Sequence, residues 1–278
     1  IELTLVHRSP GPLVRGVRAH LLSLAFWPIA VFASRLRWIT LGAVAWGGIA
    51  LGAALCAVAM LRRRPSPSPA ASWALLAGFA AATLWHLWPL ASWPAAPGAD
   101  MSMHTFMARL IVEADRLPTS YEPLYPIRDF GSYAAGLPAL AAVVSRLSGA
   151  AVHRSALAVS LLAYPAIAGG LFLVARRFAG DAAALAAGLL VAVGANAYGF
   201  LNWGGNPTAL SLALGFAAVA PALGPAKGAR EMLEDGGLLF PVLLAGAGLV
   251  HIIPVAGLAY TVPIPALLWL RGAGPGRR

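Results

Sequence analysis

WITLGAVAWGGIALGAALCAVAML, residues 38–61, contains no charged side chain. A helix rises about 1.5 Å per residue and the hydrocarbon core of a bilayer is about 30 Å thick, so about twenty apolar residues cross it. The stretch reads as a transmembrane helix, and Arg62-Arg63-Arg64 follow it at once. Residues 72–94, 155–175, 182–201 and 207–226 have the same character, and the apolar run 238–270 holds one span plus part of another. Residues 19–34 are apolar but short, which suits a tilted or interfacial segment. The 278-residue chain is 59% hydrophobic and only 11% charged, too apolar for a water-soluble domain. The expected fold is all-α, a polytopic integral membrane protein of about six to eight transmembrane helices with one long external loop.

The formal net charge of +10 does not indicate a nucleic-acid partner. No basic patch alternates with exposed aromatics, and Lys and Arg gather where the positive-inside rule puts them, at cytoplasmic span ends. Cys56 is the single cysteine, so neither a disulfide framework nor a thiolate metal site is available within the chain. The chain opens on Ile1 and closes on GAGPGRR, and it is expected to be a piece of a longer protein. Three regions follow: a basic N-terminal segment with extra membrane helices (1–71), a transmembrane core (72–270) with loop 95–133, and a basic tail (271–278). No internal repeat is evident.

Charge also orients the chain. With Arg62-Arg63-Arg64 inside, span 72–94 leads outward and loop 95–133 is extracytoplasmic. Residues 134–149 (AAGLPALAAVVSRLSG) pose the one topological choice. If they span, Arg176, Arg177, Lys227 and Arg230 fall outside. If they form a juxtamembrane helix, those four stay inside, and only Arg146 and Arg154 fall outside. Positive-inside counting prefers the second arrangement by four to two. LNWGGNP (201–207) and the end of the run near His251 then share a side with loop 95–133.

Five of the ten acidic residues lie in that loop: Asp100, Glu113, Asp115, Glu122 and Asp129. Residues 100–117 read as an amphipathic helix with Met103, Met107, Leu110, Ile111 and Ala114 on one face. Asp100 and His104, one turn apart, sit at the edge of that stripe, and Arg109, Glu113 and Arg116 lie opposite. Asp100 is either the N-cap of the helix or a general acid or base at a partly desolvated boundary, and the two roles are compatible. His104 either hydrogen-bonds Asp100 or contacts phosphate beside it. Arg109 and Arg116 are either a solvated face or phosphate ligands, and Glu113 pairs with one of them. The second half of the loop, YEPLYPIRDFGSYAAGLP (121–138), carries Tyr125 and Arg128 in a stiff, Pro-rich stretch suited to a lid or groove. In LNWGGNP, Gly204-Gly205 makes a turn, and Trp203 and Asn206 are either interfacial anchors or sugar contacts. His251 is an ionisable group in an apolar run, either a satisfied buried histidine or part of the site. His86 and His153 are weaker candidates.

An aspartate just outside an early span heads an amphipathic helix as D-x-x-x-H (Asp100, His104). A Tyr-Pro and an apolar Gly-x-Pro segment follow, then a span, an Arg-Arg-Phe-x-Gly turn (176–180) and another Ala-rich span. In this order of features, from about Ser72 to Pro254, the chain resembles the GT-C superfamily of membrane glycosyltransferases, in particular bacterial relatives of the oligosaccharyltransferase, arabinosyl- and mannosyltransferase type. The resemblance implies a plasma-membrane enzyme. It would move a sugar from a polyprenyl-phosphate-linked donor to a glycan, lipid or protein acceptor on the extracytoplasmic face, with Asp100 as the catalytic carboxylate and His104 as its catalytic neighbour. Oligosaccharyltransferases carry metal-binding acids in the second external loop. The matching NWGGN here has none, which favours a polyprenyl-monophosphate donor and no metal or other cofactor. Arg109, Arg116, Tyr125, Arg128, Trp203, Asn206 and His251 are the expected substrate contacts. A transporter or lipid flippase, or a non-catalytic membrane subunit, is the alternative. A transporter would want ionisable groups at mid-membrane and paired, broken helices.

Overall fold

The computed structural model describes residues 11–36, 38–62, 70–120, 122, 134–193, 205–223, 239–252, 255 and 256, and every regular element among them is helical. In chain order these are α1 (Pro12–Ala33), α2 (Leu41–Arg62), α3 (Ala70–Leu87), a 3₁₀ turn (Leu90–Ser92), α4 (Ala99–Glu113), α5 (Gly136–Ser148), α6 (Val152–Ala175), α7 (Asp181–Val193), α8 (Asn206–Val219) with a 3₁₀ turn at Ala220–Ala222, and α9 (Phe240–Val250). Pro12–Ala33, Leu41–Val58 and Val152–Ala175 are long and apolar enough to cross a membrane. The remaining apolar helices are shorter.

α6 is the centre. It packs on α7 and α8, and α9 and α1 close over α8. Small residues let these helices approach closely, as they do in membrane bundles. A Cβ at Gly170 on α6 would stand 2.6 Å from the Ala213 carbonyl oxygen of α8, and one at Gly246 on α9 would stand 2.5 Å from Ala25 Cβ of α1. The core itself is Leu, Val and Ala around Phe172, Leu21, Leu210 and Leu214, all fully buried. α2 and α3, by contrast, turn large apolar side chains outward: Trp46 is 60% exposed and Trp85 86%. Apolar surface of that extent outside the core belongs against lipid.

α1 departs from expectation. The apolar run begins near residue 19, yet the helix starts at Pro12 and takes in Arg15, Arg18 and His20. Proline at the first helical position is preorganised for that start, and long basic side chains can reach past the apolar face. The result is a helix of 22 residues, long and apolar enough to cross a membrane where a short tilted or interfacial segment was expected.

The hydrogen bonds sort the termini onto two ends. At one end, Arg177 Nε donates to the Ala220 carbonyl (2.7 Å) and Arg176 pairs with Asp181 (3.2 Å). At the other, the Leu117 amide donates to Ser34 Oγ (2.9 Å), and Arg154 Nη1 donates to the Trp93 carbonyl (2.5 Å). Helix α5 belongs wholly to this second end. Its first residue, Gly136, lies against Leu249 and Val250, where α9 ends. Its last turn leads through Gly149, at φ 70°, straight into the start of α6. Thus 136–148 does not traverse the molecule, Arg146 and Arg154 share the Asp100 end, and Arg176 and Arg177 stand at the other.

Candidate functional site

Helix α4 carries the D-x-x-x-H pair. Its N-cap is Gly98, with φ 101°, a conformation glycine adopts without strain. Asp100 is therefore not the cap. It lies in the first turn, exposed, where a carboxylate still faces the positive end of the helix dipole. The helix ends at Glu113, short of the expected 117, because Asp115 turns into the left-handed region at φ 51°.

The buried face differs from the expected stripe. Met101, His104, Met107, Ala108 and Ile111 point inward, while Met103 and Leu110 are only half-buried and Ala114 is exposed. His104 therefore sits mid-face, 1% exposed, and not at the edge. Met101 reaches α6, where Ser160 Oγ lies 3.8 Å from its sulfur. Burial pushes the His104 imidazole down from 6.5 to about 4, the Asp100 charge opposes that shift, and His251 adds to it. At neutral pH His104 is thus uncharged, able to donate through one ring nitrogen and accept through the other.

The same interactions show that Asp100, His104 and His251 lie within electrostatic reach of one another. His251 is not inside a helix. It follows α9 as the C-cap, in extended conformation (φ −164°). Ser211 of α8 holds that cap: its hydroxyl lies 2.9 Å from the Ala247 carbonyl and 2.8 Å from the His251 carbonyl. Asn206 opens α8 behind Gly205 and is 2% exposed. Asn206 Nδ2 and His251 Nδ1 are buried without a hydrogen-bond partner among the described residues. A buried donor or acceptor left unmade costs about 1–3 kcal/mol, so such groups mark a place where a polar ligand is welcome.

Other candidates stand apart. Arg109 is exposed and holds Glu113 at 2.7 Å; it lies nine residues beyond Asp100, roughly 13 Å along the axis and on the opposite side. Arg116 is exposed past the helix end. Asp115 has structural work: its carboxylate accepts from the Gly42 amide (3.3 Å) and lies 3.5 Å from Arg146 Nη2, and its carbonyl accepts from the Leu41 amide, so it caps α2 from a distance in sequence. Tyr125, Arg128, Asp129 and Trp203 lie outside the described residues. Ser211 escaped the sequence reading, and Gly136 entered it only as part of the Gly-x-Pro segment, although both help to position His251. The signal for Ser211 was a hydroxyl in an apolar helix, which commonly bonds across to a neighbour. Among the described residues no group of three or more His, Cys, Asp or Glu side chains has metal-binding geometry.

No protein-family model, curated protein or solved structure matches the chain.

Proposed function

We propose that the chain is the membrane core of a glycosyltransferase of GT-C type, polytopic, with six to eight spans in the plasma membrane. The Asp100 end faces outside the cytoplasm. The donor is a sugar on polyprenyl phosphate, presented from the bilayer. The observation that carries this reading is the convergence of Asp100, His104 and His251 from α4 and α9 at one end of an otherwise apolar bundle, with buried Asn206 opening α8 at that end.

In the proposed reaction the Asp100 carboxylate takes the proton of an acceptor hydroxyl. The freed oxygen attacks the anomeric carbon, a new glycosidic bond forms, and the bond from that carbon to the phosphate oxygen breaks. Polyprenyl phosphate leaves with the electron pair. Neutral His104 and His251, with Asn206, offer hydrogen bonds to the sugar hydroxyls. Arg109 and Arg116 are poorly placed for the phosphate and hold a lower rank than they had from the sequence.

The test compares the protein in lipid with Asp100→Asn, following sugar transfer from a panel of polyprenyl-phosphate donors. General acid–base catalysis contributes about 10²–10⁴-fold, so transfer is expected to fall by at least about a hundredfold with folding unchanged. Transfer that survives the substitution would remove Asp100 from the chemistry. No transfer with any donor would put the transporter or non-catalytic reading ahead.

A further inference from the structure

At the Asp100 end the indoles of Trp38, Trp85 and Trp88 stand out from the protein, 79%, 86% and 81% exposed. Trp38 lies just before α2, whose first amide, that of Leu41, donates to the Asp115 carbonyl beyond the end of α4. Trp85 is in the last turn of α3 and Trp88 just past it, on the same face. Trp93 follows, and its carbonyl accepts from Arg154 in the first turn of α6.

Different sides of the molecule carry these indoles. Leu41, beside Trp38, packs with Met107, Ile111 and Val143 of α4 and α5. Leu87, beside Trp88, packs with Leu157, Leu161 and Tyr164 of α6, and α3 also rests on α7. A protein partner seated on one side would cover one group and leave the other in water. A bilayer meets every side of a protein at one depth. An indole is apolar over its rings and carries one N–H donor, so tryptophan gathers where lipid headgroups meet acyl chains. Lipid is the occupant that fits both groups.

Packing also sets the depth of α4 against the indoles. Leu87 and Leu90 join α6 at Leu157, Leu161 and Tyr164, and Met101 meets it at Ser160. All these contacts fall within about two turns of α6. Asp100, next to Met101, therefore lies at about the depth of Trp88. From there α4 crosses the end of the bundle toward α1 and α2, where Met107 and Ile111 join Val31 and Leu41. We infer that Trp38, Trp85 and Trp88 form a belt seated at the boundary of headgroups and acyl chains, with α4 and Asp100 at that same depth. A ligand carried on a lipid then meets Asp100 without leaving its leaflet. The inference rests on the bilayer placement proposed above and not on sugar transfer.

The full chain is reconstituted in phosphatidylcholine vesicles whose acyl chains carry bromine, a contact quencher of indole fluorescence, either near the glycerol or near the methyl end. Wild type is compared with a variant combining Trp38→Phe, Trp85→Phe and Trp88→Phe, and with Trp46→Phe, which removes an exposed indole within α2. The fluorescence missing from the triple variant is that of the belt. It is expected to be quenched at least about twofold more by the shallow bromine than by the deep one. Equal quenching by the two, or stronger quenching by the deep one, would overturn the inference. Quenching by acrylamide from the water alone would put the indoles outside the bilayer, and protection from bromine and acrylamide alike would put them under a protein partner; either result overturns it. The Trp46 component reports the bilayer placement separately: quenched by the deep bromine, it leaves that placement standing even where the belt fails. A nitroxide on Ser102→Cys, in a Cys56→Ala background, tests the depth of α4 without the triple variant. Relaxation by both oxygen from the lipid and a nickel chelate from the water is expected, and relaxation by the chelate as fast as in bulk water would lift α4 off the belt and overturn the inference.

Discussion

His104 sits in the middle of the face that α4 buries, and burial is the largest influence on its proton. Its value of about 4 lies below the ordinary 6.5, so the unfolded chain binds the proton more readily than the folded one between those limits. The linked stability is therefore fully present above pH 6.5 and is lost as the pH falls toward 4. Wild type is expected to lose up to about 3 kcal/mol across that window from this group. Unfolding in detergent, measured at intervals from about pH 7 to about pH 4, should show His104→Gln losing less than wild type over the same span. Parallel curves would mean that His104 does not carry the pH dependence. The sequence offered the D-x-x-x-H spacing but not this burial. Met101, Met103, Met107, Ala108, Leu110 and Ile111 spread apolar atoms over a full half of the helix, so the stripe could be drawn through more than one set of them. Which face turned inward was decided by contacts with α5 and α6, such as Met101 on Ser160, that lie outside the helix itself.

At the scale of elements, two joints hold the candidate site, and each is open to a mutational test. Asp115 ties the end of α4 to the start of α2 and to Arg146 on α5. Asp115→Ala removes the cap and also forces a β-carbon residue without a polar tip to keep φ near 51°. A cap loss of about 1 kcal/mol plus about 1 kcal/mol of strain is expected. Asp115→Asn keeps an acceptor oxygen and tolerates that backbone conformation, so it should lose less than half as much in equilibrium unfolding. Equal losses for the two variants would mean that the carboxylate's charge, through Arg146, is the whole effect. The second joint is Gly136, whose missing side chain lets α5 start against Leu249 and Val250. A Cβ there would stand 2.6 Å from the Leu249 carbonyl oxygen, and that oxygen is backbone and cannot swing aside. Gly136→Ala is expected to destabilise by about 1–3 kcal/mol and, if the chain transfers sugar as proposed, to lower that transfer by shifting the α9 end that carries His251. Transfer at the wild-type rate would show that the joint does not position the site. The uncharged run 38–61 was enough to place α2, because length and polarity alone give a helix that could cross a membrane. The first turns of α1 were hidden for the opposite reason: Arg15 and Arg18 interrupt the apolar count although the helix continues through them. The long-range joints were illegible, since neither Asp115 nor Gly136 has a local pattern that names its partner 73 residues away, as with Gly42, or more.

The whole molecule has a polarity that none of its elements has alone. Arg18, Arg176 and Arg177 gather at one end, with Asp181 paired to Arg176; at the other, Asp100, Glu113 and Asp115 share the surface with Arg109, Arg146 and Arg154, and an apolar bundle lies between. The apolar faces of α2 and α3 complete the girdle, with Trp46 and Trp85 turned outward. If the bundle lies in a bilayer as proposed, positive-inside counting puts the Arg176 and Arg177 end on the cytoplasmic side. That orientation is open to direct measurement. Ser102 on α4 and Ala179 between α6 and α7 are both exposed and sit at opposite ends. Cys56, the only cysteine, is exposed on α2 and is first replaced by alanine to clear the background. Ser102→Cys is then expected to react with a membrane-impermeant maleimide on intact cells, and Ala179→Cys only after the cells are opened. The reverse pattern would place the Asp100 end in the cytoplasm and would exclude an extracytoplasmic sugar acceptor. Labelling of both positions on intact cells would mean that no bilayer separates the two ends, and Arg176 and Arg177 would then face the same water as Asp100.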